Sequence, residues 1–95
     1  MFIVSLTYIC AIDEIEKYLS EHIDYLNHQY SAGKFLVSGR KNPRVGGVIL
    51  AIAESREELD NILSEDPFKI HNLANYEVTE FIPTKTASRL AFLLA

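Results

Sequence analysis

Hydrophobic positions change their spacing along this chain often enough to mark out six main elements. Residues 2–9 are rich in β-branched and aromatic side chains, which predicts a first strand. The period then lengthens. Ile15, Tyr18, Leu19, His22, Leu26 and Tyr30 recur three and four residues apart, the spacing of one helix face. Asp13 with Glu16 has the form of a capping box at the start of that helix, and Gly33 after Ala32 is a suitable stop. Residues 34–39 read as a second strand, and residues 40–44, with Asn42-Pro43, as a turn. Residues 45–53 are a third strand, and so short a connection makes the pair an antiparallel hairpin.

Ser55 and Glu58 form a second capping box, followed by Leu59, Ile62 and Leu63 on the inner side of a helix that ends near Glu65. Asp66-Pro67 begins a short helical turn through about Leu73, in which Asn72 suits a left-handed conformation. Residues 76–82 alternate as a last strand, closed by Pro83. Residues 84–95 predict a short C-terminal helix with Leu90, Leu93 and Leu94 on one side.

The order β-α-β-β-α-β is that of a ferredoxin-like α+β fold, a four-stranded antiparallel sheet with both helices on one face. The 95 residues suffice for a single domain, residues 1–95. Residues 45–53 are apolar almost throughout, which suggests a strand covered on both faces. In so small a chain the simplest cover for the second face is another copy, sheet against sheet.

Charge narrows the partners. Thirteen acidic against nine basic residues give a net charge of −4, without the broad positive field that nucleic acid or an anionic membrane requires. Cys10 is the only cysteine, so an intrachain disulfide is impossible and a reducing compartment is expected. The N-terminus lacks a basic leader and reads as strand, and the apolar run at residues 90–95 is far too short to span a bilayer. A soluble cytoplasmic protein is the expectation.

The candidate chemistry starts with His22. At about 100° per residue, Leu19, His22 and Leu26 fall on one line of the helix, while His28 points the opposite way. An ionisable ring therefore interrupts an apolar face. Asp66 is an available carboxylate, and a His–Asp pair is either a proton-transfer site or an ordinary buried hydrogen bond. Asp66 before Pro67 is also a good N-cap, and the two roles are compatible because a carboxylate has several lone pairs. Gly39 in a strand permits close approach of a ligand, and Ser38 could orient a polar group. Arg40, Lys41 and Arg44 form either a solvated turn or an anchor for an anionic substrate. His71 is a second imidazole able to assist His22. Three His and one Cys, with no zinc-site spacing, predict no metal. Tyr8, Tyr18, Tyr25 and Phe68 read as core or cleft wall.

Several stretches together resemble the YciI-like family of small bacterial proteins. They are His22 with Leu26, then Gly33-Lys34-Phe35-Leu36, Ser38-Gly39 and Pro43-Arg44. Gly46-Gly47-Val48-Ile49-Leu50-Ala51, Asp66-Pro67-Phe68, Tyr76 and Glu80-Phe81 follow in order. The resemblance implies a dimeric α+β barrel with a cleft in each subunit. An acid–base pair in that cleft falls by position on His22 and Asp66. Ser38, Gly39, Arg40, Arg44, Phe68 and His71 are then the expected substrate contacts. Some relatives look like enzymes of dehydrochlorinase-type elimination or muconolactone-isomerase-like proton transfer on small ring compounds. Where many relatives have proline, Arg40 follows Gly39, and His71-Asn72 replace a small pair after the Asp-Pro-Phe turn.

The function expected is cofactor-independent acid–base chemistry on a small cyclic or anionic molecule, carried out by a homodimer that could associate further through its C-terminal helix. The alternative is a non-catalytic small-molecule-binding module or a purely structural dimer.

Overall fold

The computed structural model describes residues 1–94. Ala95, the last residue of the expected C-terminal helix, lies outside the described residues. The elements run β1 (Phe2–Tyr8), α1 (Ile12–Ser31), β2 (Phe35–Arg40), β3 (Gly46–Ala51), α2 (Arg56–Leu63), α3 (Pro67–Ile70) and β4 (Ala74–Glu80), then a 3₁₀ helix (Ser88–Leu94). The sheet order is β2-β3-β1-β4, with every neighbouring pair antiparallel, as the ferredoxin-like reading requires.

Register sorts the strand residues between two faces. Phe2, Val4 and Leu6 of β1 pair with Ala51, Ile49 and Gly47 of β3, and residues in direct register share a face. Phe2, Val4, Leu6, Ile49 and Ala51 are all buried, and they form the core with Ile15, Tyr25, Leu59, Leu63 and Phe68. The opposite face carries Ile3, Val37 and Val48, all exposed, beside the half-buried Leu50. β3 thus buries one face in this chain and leaves the other open.

The first helix starts two residues earlier than its capping-box pattern suggests. Ala11, not Asp13, is the N-cap, and no side chain caps it. Ile12 thereby joins the apolar stripe one turn before the buried Ile15, while Asp13 and Glu14 sit in the first turn, where the helix dipole favours acids. The other expected caps form. Gly33 has φ 74° after the Ala32 C-cap, Asn72 has φ 55°, and Ser55 Oγ accepts the Glu58 N–H at 3.0 Å.

β4 begins at Ala74 rather than Tyr76 and ends at Glu80 rather than Ile82. Its length is set by β1, against which Ala74 pairs with Tyr8 and Glu80 with Phe2. The C-terminal helix is also corrected. Residues 81–87 carry no regular element, and only residues 88–94 wind, as a 3₁₀ helix with no buried side chain. Pro83 and the β-branched Thr84 and Thr86 disfavour an earlier start. Among the described residues no helix is long and apolar enough to cross a membrane.

The β2–β3 connection depends on Gly46. A Cβ there would overlap the Leu6 carbonyl oxygen of the neighbouring strand, whereas one at Gly47 would lie 3.1 Å from the Gly39 carbonyl. Gly46→Ala is therefore expected to cost about 3 kcal/mol, the upper range for overpacking, because backbone has to move. Gly47→Ala should cost clearly less. Urea unfolding of the two variants checks this, and equal midpoints would contradict it.

Candidate active site

One buried carboxylate gathers three donors. Asp66 is wholly buried and precedes α3 as its N-cap, with Pro67 in the first helical turn. Its Oδ1 accepts the Phe68 backbone N–H at 3.0 Å, the usual task of an N-cap aspartate. The same oxygen meets His22 Nδ1 at 2.8 Å, and Oδ2 accepts the Tyr76 hydroxyl at 2.6 Å. The elements involved are α1, the loop into α3, and β4, so the pair exists only once the helices have packed on the sheet.

The tyrosines near this carboxylate hold their protons. Burial, and then the negative charge of Asp66, raises the Tyr76 hydroxyl far above the ordinary phenol range. Tyr25 is raised for the same two reasons, and its hydroxyl donates to the Ile62 carbonyl at 2.8 Å. Both act as fixed donors rather than as bases.

His22 is held on two sides. Its ring lies parallel to Phe68, with centroids 3.9 Å apart and 5° between planes. The Asp66 carboxylate is an acceptor, so it takes the hydrogen on Nδ1, and in the tautomer of the neutral ring that allows this the lone pair falls on Nε2. Nε2 has no hydrogen-bond partner among the described residues and is not sealed from solvent. It belongs to a side chain that lines a cavity of about 230 Å³ between α1 and the sheet.

Leu19, Ile23 and Leu26 of α1 give that cavity an apolar wall, with Leu6, Tyr8 and Phe68 opposite. The hairpin supplies the polar part. Ser38, Gly39, Arg40 and Arg44 all line it, while Asp66, hydrogen-bonded to His22, does not. Ser38 Oγ is hydrogen-bonded to the Tyr30 hydroxyl, and Arg44 Nη1 is 3.3 Å from Glu16 Oε1. His71 is not brought to the cavity. It is exposed and stacks on Tyr18, with centroids 4.0 Å apart.

Sequence reasoning missed the Tyr76 contact to Asp66. Alternation placed Tyr76 on a strand, and register places it directly opposite Leu6, on the helix-covered face. Tyr76 stands among the residues that carry the family resemblance, but neither that nor its place in the last strand says which acceptor the hydroxyl reaches.

A family model for the YCII-related domain matches residues 1–82. Among solved structures, the chain is similar to 5-chloro-2-hydroxyhydroquinone dehydrochlorinase from Burkholderia phenoliruptrix AC1100, in complex with 2,5-dihydroxybenzoquinone. The TM-score is 0.72 at 18% identity, covering 85% of this chain and 93% of that one, a likeness of fold. No curated protein matches the sequence at a significant level.

Proposed function

The chain belongs to the YCII-related family, and on that premise we propose that it is an enzyme moving a proton on a small cyclic molecule without a cofactor. The observation that carries this reading is that His22 lines the cavity with an unpartnered, solvent-accessible Nε2, while its Nδ1 is backed by a buried carboxylate. In this proposal Nε2 takes a proton from the ring, and Asp66 stabilises the imidazolium that forms. Returning the proton at another atom completes an isomerisation. Loss of the proton together with a departing anion completes an elimination. A positioned histidine contributes about 10²–10⁴-fold, enough for an acidic ring C–H or hydroxyl.

The cavity suits one ring. Sites for drug-sized molecules hold about 300–1,000 Å³, and this one has about 230 Å³. The hydroxylated quinone bound by the similar dehydrochlorinase is of a suitable class. The exposed apolar face of Ile3, Val37 and Val48 fits a homodimer in which a second copy covers the sheet. A cytoplasmic setting fits the free Cys10.

Thermal unfolding with 2,5-dihydroxybenzoquinone tests the site. A ligand at one hundred times its Kd adds about 2.7 kcal/mol of stability, so the midpoint should rise by about 11–22 °C. A midpoint unmoved by saturating monocyclic hydroxyquinones would contradict the proposal.

A further inference from the structure

The charge inside the cavity runs against the charge of the protein. The chain is acidic at −4, yet among the described residues the cavity wall holds two arginines, Arg40 and Arg44, and no carboxylate. Everything else there is apolar, hydroxyl, glycine or His22. A cleft with low-dielectric walls and one sign of charge concentrates ions of the other sign. The positive character continues outward, since Arg40 and Arg44 also line the adjoining concavity at the hairpin with Lys41 and Asn42.

The two arginines are not equivalent. Arg44 already meets Glu16, which offsets its charge. Arg40 has no side-chain hydrogen bond and no ion pair among the described residues. Its direction follows from register. Arg40 pairs with Gly47, Gly47 with Leu6, and Leu6 with Tyr76, one row across all four strands on the face covered by the helices. At one end of the row stands Arg40, an exposed residue that lines the cavity. At the other stands Tyr76, which holds the Asp66 carboxylate that holds His22. Between them Gly47 has no side chain, so the floor is low where a ring would lie. Two strand spacings separate β2 from β1, about 10 Å, enough for one ring and one substituent.

With the cavity taken as the substrate site, as proposed above, we infer that Arg40 is its specificity-determining residue and that the substrate is a monocyclic carboxylate. The carboxylate sits on Arg40, and the ring carbon or hydroxyl that exchanges a proton faces His22 across the Gly47 floor. Arginine offers a planar two-pronged donor that matches a carboxylate. The apolar α1 wall covers the ring.

Binding of 2,5-dihydroxybenzoate and of the matching benzamide, measured by calorimetry on the wild type, Arg40→Gln and Arg40→Lys, tests this. The acid should bind the wild type at least about tenfold tighter than the amide, the ratio expected for one hydrogen-bonded charge. Arg40→Gln should weaken the acid about tenfold, leave the amide unchanged and so erase the preference. Arg40→Lys should keep part of it, since charge remains and the fork is lost. Glu16→Gln, which releases Arg44, should strengthen the acid or leave it unchanged. Equal binding of acid and amide, a preference that survives Arg40→Gln, or no binding of either at millimolar concentration would overturn the inference. Failure of this assignment alone leaves the hydroxyquinone-induced rise in melting temperature intact, whereas failure of the site removes both.

Discussion

Asp66→Ala is expected to cost at least about 3 kcal/mol. Three groups now donate to this carboxylate: His22 Nδ1–H, the Phe68 N–H and the Tyr76 hydroxyl. Each buried donor left without a partner costs about 1–3 kcal/mol, and the helix cap is lost as well. In a domain of this size that is a fall of about 12–24 °C in melting temperature. Asp66→Asn keeps the volume and one acceptor oxygen, so it should lose less. Thermal melts of the two variants measure the difference, and an Asp66→Ala protein within about 1 kcal/mol of wild type would show that the three contacts carry little net energy.

His22→Asn should do the reverse, removing reactivity and sparing the fold. The ring lies at the edge of the core, with 12% of the side chain exposed, and stacks on Phe68. Its special property is the accessible Nε2, which asparagine lacks as a base. The expected loss is about 10²–10⁴ in the rate of proton transfer, the usual contribution of a positioned histidine. The expected loss of stability is about 1–2 kcal/mol, because the side-chain amide can still donate toward Asp66. A purely structural His22–Asp66 pair would give the stability loss alone.

Much of this site is written locally in the chain. Leu19, His22 and Leu26 share one helical line, and that phase alone turns His22 inward and His28 to solvent, as the structure has them. Asp66 before Pro67 suits the start of a helix or a turn, and here it is a helix N-cap. The alternation of β1 and the apolar run of β3 fix which elements are strands. The meeting of His22 with Asp66 is of another kind. It joins residues 44 apart through packing of α1 against α3, and no local pattern encodes it.

The mismatches have the same origin. Tyr76 is a strand residue by alternation, but its bond to Asp66 depends on the register of β4 on β1. Asp13 has the residue type of an N-cap, yet the helix starts at Ile12 because packing of the apolar stripe outweighs a cap worth about 1 kcal/mol. The leucines near the C-terminus have a helical spacing, but none of residues 88–94 is buried among the described residues, and the segment winds only as a 3₁₀ helix. His71 follows α3 closely in sequence, and the left-handed turn at Asn72 leaves it on the outside against Tyr18.

The central claim is that the accessible Nε2 of His22 moves a proton on a ring. Exchange of the ring hydrogens of 2,5-dihydroxybenzoquinone with solvent deuterium, followed by proton NMR with wild type and His22→Asn at equal ligand saturation, tests it most directly. Exchange well above the buffer rate in the wild type, falling by about a hundredfold or more in the variant, is the predicted result. Equal exchange by the two folded proteins, or none above buffer in either, would contradict it.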